Sequence, residues 1–343
     1  MHSTLAGLGL TLPVLAAPMA GGPSTPALVV AAAHAGSLGF VAGGYTSPDL
    51  LAGQIAEVRS AGVPFGVNLF APNPVPVSAD AYEQYRRALQ PEADHYEIDL
   101  GRVPVTEDND YWQDKVDLLV ANPVPVVSFT FGVPEPDVVA ALKKAGSVVA
   151  QTVTSAAEAR LATERDADVL LVQASAAGGH SGTLTPDRLP PEIPLTQLLG
   201  EVGAVTPLPL IGAGGLGTPD DVAAAVGAGA VATAVGTVLL RSEEAGTSAP
   251  FRAALGDHSR RPTVVTRAFT GRPARGLANI FTDRYSALAP TGYPALHHLT
   301  SPIRKAATAA GDPERINLWA GTGYRHAMPE PTGSILADLA AKV

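Results

Sequence analysis

His180 is the side chain in this sequence that is best suited to proton transfer. It lies in residues 178–182, Gly-Gly-His-Ser-Gly, shortly after an apolar segment that ends near Gln173. The imidazole is the only group in this loop whose ordinary pKa suits proton transfer near neutral pH. We therefore predict that His180 is a catalytic residue. A loop histidine with a purely structural role is the alternative.

Two amide side chains interrupt otherwise apolar segments. Gln173 precedes the His180 loop, and Asn68 lies within residues 65–70, Phe-Gly-Val-Asn-Leu-Phe. A buried amide needs hydrogen-bond partners, and the heteroatom edge of a planar cofactor would provide them. Both residues are predicted to bind a cofactor, although Asn68 has an alternative role in capping a turn.

Glycines in two later loops indicate a phosphate site. Residues 211–215 read Ile-Gly-Ala-Gly-Gly before a helix start at Thr218, and Gly236-Thr237 follows another apolar segment. Glycines let backbone N–H groups approach a phosphate, and a helix N-terminus adds favourable partial charge. Tight turns alone would also need such glycines. The coincidence of both loops favours a ligand with a phosphate, bound by Gly214, Gly215, Gly236 and Thr237.

The first loop has the small, apolar composition expected beside a flat ring. Residues 17–20 read Ala17, Pro18, Met19 and Ala20, and they follow the first apolar segment. Their backbone groups are predicted to contact the cofactor ring. Met19 has core filling as its alternative role.

The elements that must position these loops are short apolar segments that alternate with helical patterns. Eight candidate strands cover residues 14–18, 38–42, 65–70, 126–131, 148–153, 169–174, 210–213 and 231–235. Apolar strands that alternate with helices indicate a parallel sheet covered on both faces. Eight such units predict an α/β fold of the (β/α)8, or TIM-barrel, type, in which chemistry takes place at the carboxyl ends of the strands.

Two segments interrupt this alternation. Residues 72–121 contain predicted helices at 79–89 and 111–121, and residues 245–343 contain further short helical patterns. We predict a barrel formed by 1–71 and 122–260, with 72–121 and 261–343 forming a helical lid or substrate subdomain and C-terminal tail. Decoration far from the active site is the alternative for these segments.

Composition excludes several function classes. The chain has 343 residues, a formal charge of −9 and no cysteine. The charge argues against nucleic-acid or anionic-membrane partners, and the lack of cysteine excludes disulfides and thiolate chemistry. No signal peptide or membrane span is evident, so the expected location is cytoplasmic.

No metal site is predicted. The HExxH pattern is absent, and residues 108–110, Asp-Asn-Asp, lack the other ligands of a calcium loop, so they are interpreted as a solvated turn. The remaining notable histidines are predicted to be structural: His34, His297, His298 and His326.

These motifs, taken in order, resemble the nitronate monooxygenase family, formerly called 2-nitropropane dioxygenases, and its class I members in particular. The resemblance covers nearly the whole chain. It rests on residues 17–22, 66–70, 173–182, 212–215, 236–237, 266–276, 279 and 318–321. It implies a barrel with one non-covalent FMN and identifies His180 with the catalytic histidine. The residue after that histidine is often Arg in the family, whereas here it is Ser181.

The resemblance also assigns individual FMN contacts. These residues, together with those predicted above, form the expected cofactor site: Ala17, Pro18, Met19, Ala20, Asn68, Gln173, Gly178, Gly179, Gly214, Gly215, Ala234, Val235, Gly236 and Thr237.

The implied activity is oxidation of alkyl nitronates, such as propionate 3-nitronate, by O2 to a carbonyl compound and nitrite. His180 would either deprotonate a nitroalkane or donate a hydrogen bond to the nitronate, and the sequence leaves both open. A monomer or homodimer is expected. The main alternative is an FMN-dependent enoyl-acyl carrier protein reductase that uses NAD(P)H. A phosphosugar isomerase or lyase and a non-catalytic flavin-binding module are more distant alternatives.

Overall fold

Eleven strands are present in the computed structural model, which describes residues 7–343. In chain order they are β1 (Val14–Ala16), β2 (Phe40–Ala42), β3 (Gly66–Ala71), β4 (Val126–Phe131), β5 (Val148–Val153), β6 (Val169–Gln173), β7 (Gly179–His180), β8 (Leu210–Ala213), β9 (Ala232–Val235), β10 (Thr263–Thr266) and β11 (Ala274–Leu277). All but β7, β10 and β11 belong to one parallel sheet, so the eight predicted strands are confirmed.

The parallel sheet closes into a barrel. Its strands neighbour one another in the order β1-β9-β8-β6-β5-β4-β3-β2. The two ends of this series meet because the backbone N–H of Ala16 donates to the carbonyl oxygen of Leu38 at 2.9 Å, and Ala16 forms a parallel bridge with Gly39. The predicted α/β barrel is therefore confirmed.

Thirteen α-helices lie within the described part of the chain. They are α1 (Pro26–His34), α2 (Pro48–Ser60), α3 (Ala79–Ala88), α4 (Gln90–His95), α5 (Trp112–Ala121), α6 (Pro136–Ala145), α7 (Ala156–Glu164), α8 (Leu195–Gly203), α9 (Pro219–Gly227), α10 (Ala249–Gly256), α11 (Ile280–Tyr285), α12 (Ala295–Ala309) and α13 (Thr332–Leu339).

Side-chain caps explain why several barrel helices begin where they do. The hydroxyl of Ser47 accepts from the backbone N–H of Leu50, the third residue of α2, and Ser155 does the same with Glu158 of α7. Thr218 and Asp221 form a capping box at the start of α9, with Pro219 in the first helical position. These groups satisfy N–H donors that a helix start leaves without partners.

The strand side chains divide between two cores. Leu15, Phe40, Leu171 and Ile211 belong to a cluster made almost entirely of strand residues, which fills the barrel interior. Alternate residues on the same strands pack outward against the helices. Gly66 makes room for the Phe40 ring, because a Cβ there would lie 2.4 Å from it.

The insertion after β3 and the C-terminal tail share a third core. Tyr82, Tyr85 and Leu89 of the insertion pack with Phe269 and Phe281 of the tail. The two segments that interrupt the alternation of strands and helices are far apart in sequence but pack against each other in the fold. The division of the chain into a barrel and a lid subdomain remains a prediction.

Two helices inside the predicted lid ranges contact the barrel itself. Val116 and Leu119 of α5 belong to the same cluster as the β3 residue Val67, so α5 is a barrel helix before β4. Helix α13 packs against α1 and β1. Helical periodicity shows which face of a helix is apolar but not which neighbour covers it, so the sequence did not separate these helices from the lid.

A small antiparallel sheet in the tail was not predicted. Strand β11 pairs with β10 on one side and with β7 on the other, and Ala274 lies opposite His180. The two residues of β7 are too few to show the alternation that identifies a strand. This sheet attaches the tail directly to the His180 loop.

Glu92 joins the insertion to the tail through a buried ionic cluster. Its carboxylate is fully buried and accepts hydrogen bonds from Arg284 at 2.8 Å, Tyr285 at 2.9 Å and Arg315. Burial alone would raise the pKa of Glu92, but these hydrogen bonds outweigh it and lower the pKa. The carboxylate is therefore held in its charged form.

Replacing Glu92 with Gln is expected to lower the free energy of unfolding by about 3 kcal/mol. The value is at the low end for breaking a buried ion pair, because Arg315 keeps a second carboxylate, Asp312, at 2.8 Å. Because the folded-state pKa is lowered, the contribution of Glu92 is present above the unfolded pKa and is lost as pH falls below about 4. Urea unfolding at pH 7 and at about pH 3 measures both effects.

Glu83 provides the matched control for this substitution. It forms ion pairs with Arg86 and Arg87 at the surface of α3, where solvent screens the charges. Glu83→Gln should change the unfolding midpoint much less than Glu92→Gln. Equal effects of the two substitutions would contradict the anchoring role of Glu92.

Candidate active site

A cavity of about 870 Å³ opens at the carboxyl ends of the barrel strands. This is near the upper end of the usual range for ligand sites. All fifteen predicted site residues line it. They are Ala17, Pro18, Met19, Ala20, Asn68, Gln173, Gly178, Gly179, His180, Gly214, Gly215, Ala234, Val235, Gly236 and Thr237.

One end of the cavity has the features of a phosphate site. Gly214 and Gly215 adopt φ values of +106° and +80°, and their backbone N–H groups, like those of Gly236 and Thr237, have no hydrogen-bond partner within residues 7–343. A Cβ on Gly214 would lie 2.9 Å from the carbonyl oxygen of Ala174. Glycine is therefore required by both backbone conformation and space, and four donors remain for an anion.

Helix α9, which follows these glycines, contributes less to anion binding than the sequence suggested. The Asp221 carboxylate at the start of α9 accepts from the backbone N–H groups of Gly217 and Thr218, at 3.0 and 2.9 Å. The positive end of the helix is therefore already matched by an acidic group of the protein. The glycine amides before it are the better donors for a phosphate.

Asn68 is oriented by two hydroxyl groups of β4. Its Oδ1 accepts from Ser128 at 2.9 Å and from Thr130 at 3.1 Å. With the oxygen occupied, the Nδ2 group is the donor that remains for a ligand. The turn-capping alternative is not observed, since both partners lie on the neighbouring strand.

Gln173 supports the His180 loop. Its Nε2 donates to the main-chain oxygen of His180 at 3.1 Å, and its Oε1 accepts from the N–H of Gly182 at 2.7 Å. The sequence analysis assigned Gln173 only to cofactor binding. The structure adds a second role, because one amide holds both sides of the loop.

His180 lies in an aromatic environment without a carboxylate partner. Its ring is surrounded edge-on by Phe131 at 5.7 Å, Tyr293 at 6.0 Å and Trp319 at 5.4 Å, and its Nε2 is 2.9 Å from the hydroxyl of Thr270. Its Nδ1 has no protein partner within residues 7–343, so it is the nitrogen available to a ligand.

Burial and positive charge keep this histidine neutral. Desolvation, together with the charges of Arg272 and Arg304, lowers the pKa of His180 to about 3. At neutral pH the imidazole is therefore uncharged, and it is a proton acceptor rather than a cationic donor. The lowered pKa therefore favours the role of base, which requires an uncharged ring, over the role of a charged donor.

Phe131 shows that the wall beside His180 is strained. It is a buried aromatic residue with φ of +82°, a conformation that costs an L-residue about 1–3 kcal/mol. Its carbonyl oxygen accepts from Asn73 at 3.1 Å, and the Arg272 guanidinium lies 4.1 Å from its ring centroid. Strain of this kind often occurs where a site needs one particular geometry.

Helix α12 forms one wall of the cavity, and none of its residues was predicted to lie in the site. His297, Ser301, Arg304 and Thr308 line the cavity at spacings of three and four residues, which lie on one helical face, and Lys305 lines it beside Arg304. This spacing was the available signal. The arginine and the lysine form no ion pair within residues 7–343, so this wall carries positive charge into the site.

The structure brings three further residues to the cavity wall and corrects one interpretation, that of Asp110 as part of a solvated turn. His297 was predicted to be structural, but it lines the cavity and stacks on Tyr45 with 4.2 Å between ring centroids. Asp110 was predicted to lie in a solvated turn, but it lines the cavity, accepts from the N–H of Tyr45 at 3.0 Å and pairs with buried Lys115 at 2.7 Å. His298 also lines the cavity, 2.8 Å from Asp108. These residues reach the cavity wall through contacts between segments that are far apart in sequence, which local patterns do not show.

Two negative findings apply to the described residues. Within 7–343, no group of three His, Asp or Glu side chains is arranged to hold a metal ion. No helix in the same range is both long enough and apolar enough to cross a bilayer.

Known proteins resemble this chain over its full length. The family model described as nitronate monooxygenase matches residues 2–342. A probable nitronate monooxygenase from Staphylococcus aureus is 33% identical over 337 residues, which is 97% of this chain and 94% of the relative.

Solved structures agree with this match. The nitroalkane oxidase from Streptomyces ansochromogenes superposes with a TM-score of 0.94 at 42% identity, covering 99% of this chain and 97% of that one. FabK from Thermotoga maritima superposes with a TM-score of 0.77 at 26% identity, covering 100% and 96%. The chain is an oxidoreductase that belongs to the nitronate monooxygenase family.

Proposed function

We propose that this protein uses FMN to oxidise alkyl nitronates with O2, forming a carbonyl compound and nitrite. The observation that carries the proposal is the neutral His180, which faces the same cavity as two glycine loops with free backbone amides. Propionate 3-nitronate is the first substrate to test, because the family resemblance points to it.

The residues present fit a flavin mononucleotide. The free N–H groups of Gly214, Gly215, Gly236 and Thr237 suit its phosphate. Asn68 offers an oriented amide donor to the polar part of the ring or its side chain. Residues 17–20 offer an apolar surface to the flat ring. A Cβ added at Gly236 would lie 3.4 Å from the Met19 sulfur, so this loop and the Gly236 loop are in close contact.

Bound FMN would accept electrons from the substrate and pass them to O2. The protein's own part begins with attraction of an anion, since Arg304 and Lys305 line the cavity without acidic partners. A nitronate attracted in this way would contact the uncharged ring of His180. A neutral nitroalkane would instead transfer the proton on its carbon to His180. Phe131, Tyr293 and Trp319 exclude water from the imidazole.

The first experiment is oxygen consumption by the purified yellow protein with propionate 3-nitronate or ethylnitronate and no nicotinamide. Rapid uptake with matching nitrite release is the expected result. The FabK neighbour defines the competing outcome. Bleaching of the flavin by NADH or NADPH, without oxygen uptake on nitronates, would replace the proposal with enoyl-acyl carrier protein reduction.

A further inference from the structure

Arg272 is the most unusual buried charge of this molecule. Its side chain has 0% exposure, yet no carboxylate lies within ion-pair distance in the described residues. Its Nη1 has no hydrogen-bond partner, and the residue is not part of the cavity wall. The buried Glu158 carboxylate, which accepts from the Thr183 hydroxyl, offsets this charge at longer range. Burying a cation without a direct ion pair is unfavourable, so this position calls for a functional explanation.

The contacts of Arg272 all lead to the His180 loop and its wall. The guanidinium donates to the main-chain oxygen of Thr183 and, at 3.5 Å, to that of Ser181. Its plane lies over the Phe131 ring at 4.1 Å, and Phe131 contacts the His180 ring edge-on. The same side chain therefore holds the loop after His180 and supports the ring beside it.

The titratable groups around His180 show how the positive charge of Arg272 affects the imidazole. Arg272 approaches from the turn before β11 and Arg304 from α12; Tyr293 and His297 are the other titratable neighbours. None of them is a carboxylate. Burial lowers the pKa of Arg272 to about 10, so the guanidinium stays charged at neutral pH and opposes a second positive charge on the imidazole.

We infer that Arg272 is a positioning residue for His180: it fixes the loop through two carbonyls and keeps the imidazole uncharged, ready to accept a proton. The inference deepens the proposed function, on which it rests for the role of His180 as a base. The charge effect itself does not require turnover and is measurable without substrate.

The test compares Arg272→Met, Arg272→Gln and Arg272→Lys with Arg267→Met as the matched control. Arg267 lies in the same segment and also donates only to main-chain oxygens, those of Pro186 and Asp187 at 3.1 and 2.9 Å, but it does not contact the His180 loop. Histidine ring signals of each FMN-loaded protein are followed by NMR from pH 3 to 8, a range that includes a midpoint one unit above that of the wild type. The His180 signal is assigned by its loss in His180→Asn.

His180 should titrate near pH 3 and be neutral above about pH 4 in the wild type, Arg267→Met and Arg272→Lys. In Arg272→Met and Arg272→Gln its titration midpoint should rise by about one unit or more, and the acid limb of kcat/KM for a neutral nitroalkane should move upward by the same amount. Gln keeps a planar donor and provides a second neutral variant if Met disturbs folding.

A His180 titration midpoint that is no higher in both uncharged variants than in Arg267→Met would overturn the inference even if activity fell, because only a structural role would then remain. If oxygen uptake on nitronates is absent in the wild type, the proposed function fails. The NMR titration still decides the charge effect in that case.

Discussion

Turnover of a neutral nitroalkane such as nitroethane is expected to fall about 10²–10⁴-fold when His180 is replaced by Asn. Asparagine keeps a polar side chain of similar size but cannot accept the proton from carbon. The Nδ1 of His180 lies in the cavity wall without a protein partner, while its Nε2 is held 2.9 Å from the Thr270 hydroxyl. The ring therefore turns one nitrogen to the cavity, and the substitution removes a proton acceptor from that position.

Ethylnitronate separates the proton-transfer step from the later steps. It is already deprotonated, so His180→Asn should slow its oxidation much less than that of nitroethane. Stopped-flow flavin reduction under anaerobic conditions measures both substrates. His34→Asn is the control, since His34 is exposed at the end of α1. Equal losses with both substrates would show that His180 acts mainly by contacting the nitronate.

The pH dependence of nitroethane oxidation follows from the same environment. With the pKa of His180 lowered to about 3, the base remains unprotonated through the range where an ordinary histidine gains a proton. The rate should therefore not fall between pH 7 and pH 5 through protonation of this residue. A rate that falls to half its maximum near pH 6.5 would contradict the prediction that burial and the nearby arginines lower the pKa of His180.

FMN affinity is expected to fall at least about tenfold, equivalent to about 1.4 kcal/mol, when Gly214 is replaced by Ala. Its φ of +106° is unfavourable for any L-residue. The new Cβ would lie 2.9 Å from both the carbonyl oxygen of Ala174 and the N–H nitrogen of Ala177. Both atoms belong to the backbone, so relief requires one of the two loops to move away from the phosphate end of the cavity.

Gly146 provides a control that isolates this effect from backbone strain. It ends α6 with φ of +101°, and a Cβ there meets nothing within 4 Å. Gly146→Ala therefore carries a similar conformational cost, far from the cavity, and should leave the FMN dissociation constant unchanged. Fluorescence titration of the apoproteins with FMN gives both constants. If Gly214→Ala binds FMN with unaltered affinity, the Gly214 loop is not part of the cofactor site.

The residues predicted from local patterns were those on or beside barrel strands. Runs such as Val126–Phe131 are buried on both faces, so their composition alone identifies them as parallel strands. Once eight strands are recognised, barrel geometry brings all their carboxyl ends to one rim. That is why His180, Asn68 and the glycines of two distant loops were assigned to one site before any contact was known.

The remaining site residues depend on contacts between segments that are far apart in sequence. Tyr45 stacks on His297, and Arg272 binds a carbonyl in the His180 loop 89 residues away. Neither pairing leaves a periodic pattern in the chain, because periodicity records only the apolar face of an element and not its neighbour.

The sequence by itself therefore predicted the barrel, the rim at its carboxyl ends as the site, and His180 as the candidate catalytic residue, either base or hydrogen-bond donor. Only the tertiary structure decided the protonation state of that base, because it depends on burial and on the charges of Arg272 and Arg304. These arginines lie outside the barrel, in the tail. Their fields reach the imidazole only because the tail folds over the rim, which no local pattern encodes.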